Sequence, residues 1–125
     1  MGESDRCRVA ICDDELGFRQ VLSIVLGLEP ELEVVGEAAN GREAVRLVAE
    51  LSPDVLILDV AMPELDGIEA LPLIREASPG TRVVMLSGFG STGVRQRSLD
   101  GGASLFMEKG ADPAEIVARI RELCS

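Results

Sequence analysis

The sequence predicts an α/β fold: a parallel sheet of five strands covered by helices on both faces. Two observations lead there. Five short runs are apolar at nearly every position, the pattern of strands buried on both faces and not of strands with one wet face. Between them lie segments whose apolar residues recur at helical spacing, so strand and helix alternate along the chain.

Taken in order, residues 8–12 (Arg-Val-Ala-Ile-Cys) form the first strand, which stops abruptly at Asp13-Asp14-Glu15. Leu16, Gln20, Val21, Ile24, Val25 and Leu28 follow at helical spacing, and Pro30 closes that helix. Leu32 to Ala38 is the second strand. Asn40 has the side chain of an N-cap for a helix with Ala44, Val45, Leu47, Val48 and Leu51 on its apolar face, ended by Ser52-Pro53-Asp54. Val55 to Leu58 is a third, wholly apolar strand ending on Asp59; Met62-Pro63 and Asp66-Gly67 then break the chain into a loop. A helix over 67–77 turns Ile68, Leu71 and Ile74 inward, and Pro72 inside it predicts a kink or a displaced first turn. Residues 82–86 are the fourth strand, ending at Ser87. Residues 88–101 are weakly helical, with Val94 and Leu99 as the apolar anchors. Ser104 to Met107 is the fifth strand, ending on Glu108-Lys109. Asp112 caps a last helix with Pro113 in its first turn and Ile116, Val117, Ile120 and Leu123 as its buried stripe.

Right-handed crossovers bring the carboxyl ends of all five strands to one edge. That edge collects Asp13, Asp14, Asp59, Ser87 and Lys109. It is also where open α/β sheets place their chemistry.

Composition narrows the chemistry. The 125 residues fit one domain, with no evident boundary, repeat or low-complexity segment. No apolar run is long enough for a membrane span and the first residues lack a signal-peptide core, so the chain reads as cytoplasmic, without a membrane partner. There is no histidine, which removes histidine acid/base catalysis and the common zinc sites. A net charge of −10 with 2% aromatic residues argues against direct nucleic-acid binding. Cys7, Cys12 and Cys124 are odd in number and lack metal-ligand spacing; Cys12, in a core strand, reads as a small buried hydrophobe.

Carboxylates converging on one rim repel one another unless a cation neutralises them. Oxygen ligands without histidine or cysteine suit Mg²⁺ or Mn²⁺. A salt-screened acidic rim is the plainer alternative for Asp13-Asp14, and a loop cap for Asp59. One lysine and one hydroxyl at neighbouring strand ends meet the needs of a phosphorylated carboxylate, supplying a point charge and a hydrogen-bond donor.

With these residues in order, the chain resembles the receiver domains of two-component response regulators, the CheY-like proteins, over essentially its whole length. The resemblance rests on Asp13-Asp14 after the first strand, Leu58-Asp59 with Met62-Pro63 after the third, and Asp66-Gly67 opening the next helix. Ser87-Gly88 after the fourth strand and Phe106-Met-Glu-Lys109 at the fifth complete it. It implies a doubly wound, flavodoxin-like (βα)5 fold of strand order 2-1-3-4-5, forming a single receiver domain over 1–125. It further implies that Asp59 accepts a phosphoryl group from the phosphohistidine of a partner kinase or phosphotransfer protein. Asp14, Asp59 and the Ala61 carbonyl would hold Mg²⁺, with Asp13 acting directly or through water, while Ser87 and Lys109 would contact the phosphoryl oxygens. Such a domain is a switch and not an enzyme in its own right. Ser87 and Phe106 would move on phosphorylation, unless Phe106 is simply a core aromatic, and present a face to a downstream protein, a fused output domain or a second copy. Gly110 replaces the usual proline after the lysine, so a cis peptide is not assumed there.

Three other readings compete. The chain can be a receiver excised from a longer DNA-binding or enzymatic regulator. A Mg²⁺-dependent phosphatase using an aspartyl-phosphate usually carries a second aspartate two residues after the first; Ala61 stands there. Gly88-Phe-Gly90-Ser-Thr-Gly93 matches a dinucleotide-binding G-x-G-x-x-G, but follows the fourth strand, with too little chain left for a second half of such a fold.

Overall fold

The computed structural model describes residues 6–88 and 93–125. The strands are β1 (Cys7–Cys12), β2 (Leu32–Ala38), β3 (Val55–Asp59), β4 (Arg82–Ser87) and β5 (Leu105–Glu108). They pair in parallel in the order β2-β1-β3-β4-β5. The helices are α1 (Leu16–Gly27), α2 (Gly41–Leu51), α3 (Gly67–Ala77), α4 (Val94–Asp100) and α5 (Pro113–Cys124).

Side chains alternate across a strand, and here both faces are buried. Val9, Ile11, Val55 and Ile57 join a core under α1 and α5 with Leu22, Leu26, Ile116 and Ile120. Ala10, Cys12, Leu56 and Leu58 join a second core under α2 and α3 with Ala44, Val48, Leu71 and Ile74. This is why the central strands β1, β3 and β4 are nearly continuous apolar runs, whereas the edge strand β2 admits Glu33 and Glu37.

Short side chains stop the helices where the sequence predicts. The Asn40 side chain accepts from the Glu43 N–H at 3.0 Å and Asp112 from the Ala114 N–H at 2.9 Å. Asp66 and Glu69 form a reciprocal capping box at the start of α3, with bonds of 2.8 and 3.0 Å.

Three helices differ from expectation. In α1 the buried residues are Leu22 and Leu26, with Phe18 and Val25 packed against the core, whereas Leu16, Val21, Ile24 and Leu28 are exposed. Helical spacing alone does not choose between two apolar stripes on one helix; the sheet does. In α4 the residue that turns inward is Ser98, its hydroxyl donating to the Val94 carbonyl at 2.8 Å, while Leu99 is exposed. Its first turn starts at Val94, and Phe89–Thr92 of the glycine-rich motif lie outside the described residues. In α3 the first turn is not displaced: the helix starts at Gly67 and continues through an exposed Pro72. Proline lacks an N–H, so this leaves one carbonyl without its helical donor on the solvent side.

The cysteines depart most from the sequence reading. Cys7 and Cys124 form a disulfide across a sequence separation of 117, and Cys12 alone is a free thiol.

Candidate functional site

Backbone hydrogen bonds carry the sheet one residue past its strands and thereby aim the acidic edge. The Asp13 N–H donates to the Ala38 carbonyl at 3.1 Å, Val60 to Leu86 at 2.9 Å and Lys109 to Ser87 at 2.8 Å. The residues at the ends of β1, β3, β4 and β5 therefore face one another across a shared rim. Asp14, Glu15, Asp59, Ala61, Ser87 and Lys109 line one pocket there.

The loop after β3 is held from both sides. Met62 is buried, its sulfur 3.5 Å from Cys12 Sγ. Gly67 donates its N–H to the Val60 carbonyl at 2.8 Å, and a Cβ at Gly67 would stand 2.3 Å from the Asp59 carbonyl oxygen. Only glycine allows α3 to start this close to the end of β3. Between these anchors Glu64 takes a left-handed φ of 67°.

Charge at the rim is unbalanced toward acid. Asp13 and Asp59 are 1% and 3% exposed, and Asp14 is exposed; one oxygen from each lies within 4.8 Å of the others. Lys109 Nζ sits among them, 2.8 Å from Asp13 Oδ2, 2.5 Å from Glu15 Oε1 and 3.3 Å from Asp59 Oδ2, and 4.7 Å from the centre of the Phe18 ring. Burial and the neighbouring Asp13 push the Asp59 carboxyl up to about 6, against the opposing pull of Lys109 and a hydrogen bond from the Ala61 backbone. Burial works against the charge on Lys109, but its bonds to Asp13 and Glu15 and the charge of Asp59 prevail and hold its ammonium above the usual lysine range. One lysine thus serves three carboxylates, with Asp14 as a fourth at the edge.

This donor set fits a small hard dication. Mg²⁺ keeps its oxygen ligands about 2.1 Å away, so ligands on opposite sides lie about 4.2 Å apart. One oxygen from each of Asp13, Asp14 and Asp59 lies within 4.8 Å of the others, close enough for the three to share one such ion. Asp13 Oδ2 is buried and, among the described residues, has the Lys109 ammonium 2.8 Å away as its one polar partner, which leaves it ligand capacity.

The structure brings together Asp13, Asp14, Asp59, Ala61, Ser87 and Lys109. Phe106 lies apart from that pocket, half-buried against the core under α2 and α3, with the Arg95 guanidinium 5.9 Å from its ring centre. Two residues of the site escape the sequence reading. Glu15 ends the acidic run, and its charge was the available signal. Phe18 reaches Lys109 only through the fold and carries no local signal. Every described peptide bond, including Lys109–Gly110, is trans.

Comparison with known proteins agrees with this geometry. Residues 9–121 match the response regulator receiver domain. The chain is 34% identical over 110 residues to the transcriptional regulatory protein YhcZ of Bacillus subtilis, covering 88% of this chain but 51% of YhcZ. It is 34% identical over 116 residues to the chemotaxis protein CheY of Thermotoga maritima, covering 93% of this chain and 96% of that protein. The response regulator domain of Thermotoga maritima CheB superposes with a TM-score of 0.87 at 35% identity, over 95% of this chain and 96% of that one. The chain thus spans about half of YhcZ and nearly all of CheY. Five parallel strands in this order, the acidic rim with its single lysine and a family match over 9–121 lead to one conclusion: the chain belongs to the response regulator receiver domains of two-component signalling systems.

Proposed function

We propose that Asp59 is the phosphoacceptor of this receiver and that its phosphorylation depends on Mg²⁺ or Mn²⁺. The supporting observation is one buried carboxylate at the end of β3, 3.3 Å from Lys109 and within 4.8 Å of two further aspartates, opening onto a pocket at the sheet edge. An Asp59 oxygen attacks the phosphorus of a phosphohistidine on a partner kinase or phosphotransfer protein. The P–N bond breaks, a P–O bond forms, and the imidazole keeps the electron pair and takes a proton. Such a transfer needs positioning and charge neutralisation more than covalent help. Asp14, Asp59 and the Ala61 carbonyl, with Asp13, hold the dication, which when bound offsets charge on the phosphoryl oxygens. Lys109 moves from its carboxylate partners toward one phosphoryl oxygen, and the Ser87 hydroxyl donates to another.

The output follows from added charge. Phosphorylation places about −1.5 to −2 on a rim already acidic and draws Ser87 and Lys109 inward. Motion at the end of β4 reaches Phe106 through the β4–β5 pairing and alters the face of α4, β5 and α5. That face would engage a downstream protein, an output domain or a second copy, and not nucleic acid. The domain acts in the cytoplasm as a switch; Ala61, two residues past Asp59, offers no acid for turnover of an external substrate. The test is labelling by a small-molecule phosphodonor with Mg²⁺: Asp59→Asn abolishes it, and undiminished labelling of that variant sinks the assignment. A second reading, a receiver cut from a longer regulator, draws on the coverage of only 51% of YhcZ. An intact mass of the natural protein separates the two.

A further inference from the structure

We propose that the Cys7–Cys124 disulfide is a thiol-exchange site, opened by a low-molecular-weight thiol, that releases the last turn of α5 without touching the phosphoacceptor rim. Cys7 is the first residue of β1 and Cys124 the last of α5, their Cα atoms 5.9 Å apart. They lie at the edge where strands begin. Asp13 is six residues further along the chain, just past the other end of β1, roughly 20 Å away at 3.3 Å per strand residue.

Access separates Cys124 from Cys12, which is fully buried with its Sγ 3.3 Å from the Asn40 carbonyl, while Cys7 is itself buried at 9% exposure. Cys124 is half-buried, and two surface clefts reach the bond from different sides. Glu31, Arg121 and Glu122 line one; Arg6, Asp54 and Arg82 line the other. Arg121 is shared with Glu29 and Glu31 at 3.4 and 3.1 Å, while Arg6 and Arg82 face backbone carbonyls, those of Leu32 and Leu123. Among the described residues neither guanidinium forms an ion pair, and the one carboxylate side chain lining their cleft is that of Asp54.

Nor does the fold need this bond as a staple. Small domains rely on disulfides where a core is lacking, whereas this sheet has a full apolar core on each face. The buried stripe of α5 ends at Ile120. Beyond it Leu123 and Cys124 are only half-buried, and the disulfide and the Arg82 hydrogen bond hold the turn. Cys7 stays in place after cleavage, because its N–H donates to the Glu31 carbonyl at 2.9 Å and its strand is paired on both sides. The mobile partner is therefore the end of α5.

The exchange balances in two steps. A thiolate of the glutathione type attacks the more exposed Cys124 Sγ; the Cys7–Cys124 bond breaks and Cys7 leaves as a thiolate, later protonated by water. A second thiol attacks the mixed disulfide, giving a small-molecule disulfide and free Cys124. Two electrons pass to the protein, and both cysteines end as thiols.

The experiment equilibrates the full chain in mixtures of reduced and oxidised glutathione and reads thiol alkylation by intact mass and backbone hydrogen exchange. In reduced buffer, Cys7 and Cys124 alkylate in the folded protein and Cys12 only after denaturation. Amide exchange over 121–124 rises by roughly tenfold with little dependence on urea, the mark of a local opening, whereas any rise in β3 keeps the steep urea dependence of global unfolding. The double variant Cys7→Ser, Cys124→Ser shows the fast exchange in either buffer. The proposal is overturned if the bond resists glutathione in the folded protein, if oxidised buffer never forms it, if exchange at 121–124 does not respond, or if the rise at 121–124 carries the same urea dependence as β3.

Discussion

Replacing Asp59 with asparagine should stabilise the metal-free protein, although it removes the residue proposed to carry function. The Asp59 carboxyl ordinarily titrates at 3.8 and is pushed up to about 6 in the folded chain. A carboxyl whose folded pKa is raised binds its proton more tightly when folded. Its ionisation therefore weakens the fold as pH rises through the window from 3.8 to 6, and the loss is complete above it. Two units at 1.36 kcal/mol each give about 3 kcal/mol as an upper bound, and the opening of the pocket to water reduces this to about 1.5 kcal/mol. Asparagine keeps the shape and lacks the charge, and Lys109 retains Asp13 and Glu15 as partners. Urea unfolding in a chelator should then show Asp59→Asn more stable at pH 7.5, the gap shrinking to about half at pH 5. Saturating Mg²⁺ should close or reverse it, since a ligand at one hundred times its dissociation constant stabilises its binder by about 2.7 kcal/mol. A variant less stable than the parent in chelator at pH 7.5 refutes the claim that the rim is electrostatically strained. A gap that widens toward pH 5 refutes the assigned cause.

Two further outcomes follow from packing and topology. Leu22→Ala should cost about 2–5 kcal/mol in urea unfolding, while Ile24→Ala, 65% exposed on the opposite face of the helix, should stay within about 0.5 kcal/mol; equal costs would mean that α1 is rotated from the face described. Reducing the Cys7–Cys124 bond frees a loop of 117 residues, for which chain entropy sets an upper figure of about 4.9 kcal/mol and a practical one of about 2–4 kcal/mol. Denaturation with and without a dithiol reductant reads this directly, and coincident midpoints would show that the two cysteines do not pair.

The acidic rim was readable because its members stand at or just past strand ends. A buried parallel strand stays apolar until it leaves the sheet, so the first polar residue marks the edge: Asp13, Asp59 and Ser87 each appear there, and Lys109 one residue past β5. The helix starts were readable for an equally local reason, since Asn40, Asp66 and Asp112 cap through their own neighbours. What failed was choice among equivalents. In α1 apolar residues occupy more than one stripe, and the period is the same for each. In α4 seven residues are too few to carry a stripe, so a serine that bonds its own helix can turn inward in place of Leu99. Glu15 and Phe18 join the site only because Lys109 reaches back from the last strand toward the first helix, a contact between residues 94 positions apart in the case of Glu15.

The disulfide shows where the boundary between readable and unreadable lies. Parallel strands all start at one edge, and the helices that return the chain run back toward it. A helix that follows the last strand must then end where the first strand starts, provided it packs on the face above β1. Here α5 does so, with Ile116 and Ile120 in the core that contains Val9 and Ile11. Cys7 and Cys124 are neighbours by that topology and by nothing in their local sequence. Counting cysteines and inspecting their spacing could not pair them; placing them at the two ends of the strand-and-helix alternation could have. The two edges of the sheet therefore differ in kind. The carboxyl edge gathers residues that each announce themselves near a strand end, and it is the edge to which we assign phosphoryl chemistry. The amino edge joins the first strand to the last helix, and so offers a place where a change in redox state can act on α5 without passing through Asp59.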